Sequence, residues 1–145
     1  MHRPKELLSD VIRSQYFAVL NTLGQSLPYS NLISFVISDD LRSLVFVTGR
    51  GTRKYANIQE NSNVSILIDN RTNRPSDVAQ AIAVTAIGTA REERDNRSAW
   101  RDLFLARHPQ LRQFTDASDN AIMLVTVGEY IIAGFDETQR VAMPE

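Results

Sequence analysis

The chain has 145 residues, a formal net charge of −1, 43% hydrophobic residues and no cysteine. That length fits one domain, residues 1–145, around a single core, and the near-zero charge argues against a global pull toward nucleic acid or acidic lipid. Without cysteine there are no disulfides, thiolate metal sites, iron–sulfur clusters or thiol nucleophiles, which makes the cytoplasm the default compartment.

The opening "MHRPKELLSDVIRSQ" is charged at almost every turn and has no apolar core, so it is expected to be neither a signal peptide nor a membrane anchor. Leu7, Leu8, Val11 and Ile12 recur in it at helical spacing opposite Lys5, Glu6 and Asp10, which predicts an amphipathic helix capping the domain. From Tyr16 the period becomes that of strands. "YFAVLNTL", a turn in "GQSLP", "YSNLISFVI", a second turn in "SDDLRS" and then "LVFVT" predict a three-strand meander. "TRKYANIQEN" predicts a short helix with Thr52 as its N-cap, and "VSILID" a strand apolar enough to be buried on both faces. "NRTNRPSDVAQ" is polar, carries a proline and reads as a long exposed loop. "AIAVTAIGTAREE" is a strand in which β-branched residues alternate with alanines. Residues 96–107 are helical in pattern, with Trp100, Leu103, Phe104 and Arg107 on one face, and His108-Pro109 ends the run. After the polar patch "TDASDN" comes a last strand, "AIMLVTVGEYIIAGF". The pattern predicts a mainly β or α+β domain, a small antiparallel barrel with flanking helices outside.

The stretch "FVTGRGTRKYANI" places two glycines, two threonines and an Arg-Lys pair between a strand and a helix. The first amides of a helix lack intrahelical partners and carry partial positive charge, so such a junction suits an anion. Thr48 and Thr52 add hydroxyls, and Arg53 and Lys54 add charge-assisted donors, as a phosphomonoester requires. No Gly-Lys-Ser/Thr follows at P-loop spacing, and the third glycine of a dinucleotide fingerprint is missing. The plainer reading is a tight turn, a capped helix and two solvated cations.

The order of Val-Thr, Gly-x-Gly, Thr-Arg-Lys and "NSNVSILI" resembles the pyridoxamine 5′-phosphate oxidase-like family of flavin-binding split barrels. The resemblance extends over most of the chain, through "FAVLNTLGQSLPYSNLISFVI" and "AIAVTAIGTAREE". It implies a Greek-key antiparallel split β-barrel that binds FMN. By the family's motif, Thr48, Thr52, Arg53 and Lys54 would be phosphate and ribityl ligands, and Val47 would touch the same cofactor. Asn31, Leu32, Ile33 and Ser34 would lie along the isoalloxazine ring, in a register that a slip of one residue would invert. Family members are homodimers with the cofactor in the inter-subunit cleft, which implies the same here. A small molecule is then the substrate, with neither nucleic acid nor membrane as partner. The implied activity is that of an FMN-dependent oxidoreductase on an unidentified substrate.

The chain also departs from that family. True oxidases of pyridoxamine phosphate carry a lysine on the hairpin strand and an Arg-x-His element near the C-terminus, whereas this chain has "ISFVI" and "EYIIAGFDETQRVAMPE". It is therefore not expected to be one of them. Ala83 stands near the family's flavin-contacting glutamine. "ARHPQ" and "IIAGFDETQRV" resemble segments of haem-utilisation relatives, although Asp136 interrupts their Gly-Phe-Gly element. Haem, with His108 as axial ligand, is one alternative; deazaflavin in place of FMN is another, and a non-catalytic flavin binder or sensor a third. The plainer reading of His108 is a helix end favourably placed at the dipole, and His2 takes no role. Asp39-Asp40 and Glu92-Glu93 read as solvated pairs, Trp100 and Phe104 as core, and Arg71, Asn73 and Arg74 as a loop cluster able to gate or bind a substrate phosphate. With two histidines and no cysteine, no metal site is expected.

Overall fold

The computed structural model describes residues 3–144; His2 lies outside the described residues. Helix α1 (Pro4–Arg13) buries Leu8, Val11 and Ile12 and starts with proline at its first turn, where no amide hydrogen is needed. Strands β1 (Phe17–Gly24) and β2 (Leu27–Ser34) form a hairpin, followed by the short β3 (Val36–Ile37), β4 (Ser43–Gly49) and helix α2 (Arg53–Glu60). Strand β5 (Asn63–Asp69), the short helix α3 (Asp77–Gln80) and strand β6 (Ala83–Glu92) come next. Helix α4 (Arg97–Arg107), a 3-10 turn at Pro109–Leu111, helix α5 (Arg112–Asp116), the long strand β7 (Asn120–Ala133) and β8 (Thr138–Ala142) complete the chain.

All pairings are antiparallel, in the order β2-β1-β5-β6-β7-β4-β3, with β8 also on β7. The sheet curls until its edges approach at β2 and β4, which touch without a ladder between them. This is the split barrel that the sequence predicts. The meander is a correction: β4 does not pair with β2 but with β7, from Ser43↔Thr126 to Gly49↔Asn120. A chain pattern shows where strands are, and partners separated by more than seventy positions leave no local mark on it.

Two clusters form the core. One fills the curl and includes Leu20, Ile33, Phe46, Ile66, Ile68 and Tyr130; the other packs Val45, Val47, Ile122 and Leu124 under Phe104 and Leu105 of α4. β4 is therefore buried on both faces. The expectation of two-sided burial for "VSILID" is corrected, because only Val64, Ile66 and Ile68 of β5 are buried while Ser65 and Leu67 face outward and stay half-buried. The polar stretch before β6 is exposed but not shapeless: the Asp77 carboxylate accepts from the amides of Thr72, Asn73 and Arg74 and from the Thr72 hydroxyl. Arg71 pairs with Asp69 at 3.0 Å.

Candidate functional site

The turn between β4 and α2 is fixed by its threonines. Thr52 is the N-cap; its Oγ1 accepts from Tyr55 N and donates to Gly49 O at 2.8 Å. The Thr52 hydroxyl has only one hydrogen, so at the 3.0 Å contact between the two hydroxyls Thr48 is the donor. Both hydroxyl hydrogens are thus committed inside the turn, and Thr48 is 1% exposed. The expectation that Thr48 and Thr52 add hydroxyl donors for an anion is corrected: both hydroxyls are spent on holding the turn. Neither Gly49 nor Gly51 has positive φ, so the turn does not need their left-handed freedom.

Ala56 N makes the first intrahelical bond, to Thr52 O, and Tyr55 N is taken by the cap. The amides of Arg53 and Lys54 are therefore the orphan donors of this helix end. The side chains of the two residues diverge. Arg53 lies over the ring of Tyr29 on β2, 4.6 Å from its centroid. Lys54 lines a cleft of about 240 Å³ together with Leu32, Ile33, Ser34, Val47, Phe104, Leu111 and Phe114. Five of the nine residues singled out from sequence, Leu32, Ile33, Ser34, Val47 and Lys54, thus meet in one cleft, while Thr48, Thr52 and Arg53 do not line it. The ninth, Asn31, shares the inward face of β2 with Tyr29 and Ile33, and its buried Oδ1 has no hydrogen-bond partner.

Sequence reasoning missed what anchors the turn. Arg50 binds Glu92 through two contacts, Nε to Oε1 at 3.2 Å and Nη2 to Oε2 at 2.7 Å, and its Nη1 donates to Ser118 O. Tyr55 OH and Arg94 also donate to Glu92 Oε1. The Arg50 guanidinium, with the Tyr55 hydroxyl, holds the Glu92 carboxyl below the ordinary value, and the carboxylate in turn pushes the Tyr55 phenol up. The reading of Glu92-Glu93 as solvated is corrected, since both side chains are 6% exposed. Glu93 pairs with Arg91 and accepts from the amides of Asp95 and Asn96. The available signal was an Arg in the turn and an acid at a strand end, which spacing alone cannot join.

His108 is 1% exposed, packs on Phe104 and Tyr16, and puts Nε2 2.7 Å from Phe35 O. A carbonyl only accepts, so Nε2 carries the hydrogen and donates. The histidine ties α4 to the end of the β2 segment, and that nitrogen is committed. Ala83 begins β6, half-buried, opposite Asp69 and Ala133. Trp100 and Phe104 pack in the outer cluster as expected.

A curled antiparallel sheet split at one seam, with a capped basic helix start beside the seam, defines the class of split barrels. A family model described as Pyridoxamine 5'-phosphate oxidase matches residues 4–131, and the chain belongs to that family. No curated protein matches the sequence. Among solved structures, the chain is similar to a heme binding protein from Mycobacterium smegmatis (18% identity, TM-score 0.86), covering 98% of this chain and 60% of that one. It is also similar to the general stress protein 26 from Bacillus anthracis (21% identity, TM-score 0.72; 94% of this chain and 98% of that one). A putative pyridoxamine 5'-phosphate oxidase from Listeria innocua is a third (15% identity, TM-score 0.72; 90% and 98%). These likenesses show the fold. Among the described residues no helix is long and apolar enough to cross a membrane.

Proposed function

We propose that the protein binds FMN, with the phosphate at the first turn of α2 and the ring against residues 31–34, and acts as an oxidoreductase on a small molecule. The observation that carries this reading is Lys54, among the described residues the only charged side chain lining a cleft otherwise walled by apolar groups and Ser34. Its ammonium, the Arg53 guanidinium and the two orphan amides suit a phosphate of roughly −1.5 to −2 charge. A bound flavin supplies the redox chemistry. The chain's residues anchor the phosphate, give the ring apolar walls and keep water from one side of it. A deazaflavin phosphate fits the same seat.

The cleft opens onto the outer face of the hairpin, where Leu32 is 71% and Phe17 58% exposed. Across four strands that face carries the row Leu32, Val19, Leu67 and Thr85, and beside it a polar but uncharged row stitched by Ser30, Asn21 and Ser65. Next to these rows the charges beside Phe17 are a neutralised pair, Asp69 with Arg71, and the two uncharged rows suit a second copy of the chain, with the cofactor cleft closed between them.

The test is a visible spectrum of the purified protein after loading with FMN and removing the excess. Flavin bands near ~450 nm should be retained, and Arg53→Ala combined with Lys54→Ala should weaken binding by about two to four decades, from two charge-assisted bonds of roughly 1.5–3 kcal/mol each. Unchanged affinity in the double variant would move the seat elsewhere. Oxidation of reduced nicotinamides by the loaded protein separates an enzyme from a sensor. A haem reading is favoured by the likeness to the Mycobacterium smegmatis protein. In that case a Soret band should survive His108→Ala, because the Nε2 of His108 is held by Phe35.

A further inference from the structure

The first turn of α2 holds two cations that no carboxylate neutralises. Arg50, next to them in the turn, pairs with Glu92, whereas Arg53 and Lys54 are among the cations that pair with no acid among the described residues. Lys54 is placed by the cleft it lines. Arg53 is exposed at the start of the helix and would be a free side chain were it not for Tyr29.

How Tyr29 comes to lie there follows from the docking of α2 on the hairpin. Arg53 and Asn57 are four residues apart and share one helix face. Asn57 is buried and donates to Thr22 Oγ1 at 3.0 Å, and it lies so close to Gly24 that a Cβ there would overlap its side-chain amide. Tyr29 is the register partner of Thr22 on the neighbouring strand. The contact that seats Asn57 on β1 therefore brings Arg53, one helical turn earlier, over the ring on β2. Stacking uses the flat face of the guanidinium and leaves its N–H edges free for an anion.

We infer that Tyr29 is a positioning residue for the anion seat: its ring holds the unpaired Arg53 guanidinium beside the α2 N-terminus, so that a phosphate meets a cation already ordered. An unstacked arginine would lose side-chain freedom only on binding, and affinity would fall by that loss. The inference rests on the phosphate seat proposed above, and the test separates the two.

FMN affinity is measured by flavin fluorescence for the wild type, Tyr29→Phe, Tyr29→Leu, Arg53→Ala and the double variant Tyr29→Leu/Arg53→Ala, with riboflavin as the ligand that has the ring but no phosphate. Tyr29→Phe keeps the aromatic face and should leave Kd for FMN unchanged. Tyr29→Leu should raise it by about two- to tenfold. The same substitution should change nothing further once Arg53 is alanine, and should not alter riboflavin binding. Equal losses for FMN and riboflavin, or a Tyr29→Leu effect that persists in the Arg53→Ala background, would make Tyr29 a ring or packing contact and overturn the inference. Arg53→Ala binding FMN as well as the wild type does would instead overturn the role of Arg53 in the seat, and this inference with it.

Discussion

At the scale of single residues, the buried polar groups separate scaffold from site. His108 donates to Phe35 O from an apolar setting, so His108→Leu leaves that carbonyl unpaired and should lower stability by about 1–3 kcal/mol in urea unfolding. Glu92 gives a pH signature. Its carboxyl is held below the ordinary 4.5 chiefly by Arg50 and then by Tyr55, so its contribution to stability is fully present above that value and is lost as pH falls through the lowered one. Glu92→Gln should therefore cost most near neutral pH, and its unfolding midpoint should converge on that of the wild type in acid. A gap that stayed constant down to acid would place the effect in packing rather than charge. The helix start was legible from sequence because capping is local: Thr52, Arg53 and Lys54 announce it by type and spacing. The direction of Arg53 was not, because Tyr29 lies on a different element. The partners of Glu92 were hidden for the same reason.

At the scale of elements, the hairpin β1–β2 shows why a strand end carries a glycine. "GQSLP" reads as a turn, and in it Gly24 pairs with Leu27 inside the ladder. The two turn residues are Gln25 and Ser26, with φ of 53° and 64°, a left-handed pair that favours Asn-Gly. Gly24 is instead glycine because Asn57 of α2 occupies the space of its Cβ. Gln25→Asn with Ser26→Gly should raise stability by about 1 kcal/mol. Gly24→Ala should lower it and loosen α2, seen as faster amide exchange at residues 53–60. Strand β8 was missed since all of its residues but Val141 are exposed, so no burial pattern marks it. Gly88 faces the backbone of Thr126 where the β6–β7 register shifts, a bulge that no single-strand pattern discloses.

At the scale of the whole molecule, the alternation of apolar and polar residues made the sheet and its curl legible, but not the order of its strands. The same alternation gives the outer face its uncharged rows, and Leu32→Asp with Phe17→Glu should shift the protein to a monomer in sedimentation while weakening FMN retention. A monomer that kept full flavin affinity would detach the cleft from the proposed dimer. The pairing of β4 with β7 bears on how the protein is made. Apart from two rungs with β3, β4 finds its ladder only in residues 120–126. On the ribosome, the strand that ends in the β4–α2 turn therefore waits exposed while the following seventy or so residues are synthesised. During that interval the β1–β2–β5–β6 portion can pair in order as it emerges, whereas the proposed binding site is assembled last. Nascent chains stalled before β7 leaves the exit tunnel should resist proteolysis in that first portion and remain cleavable around residues 44–48.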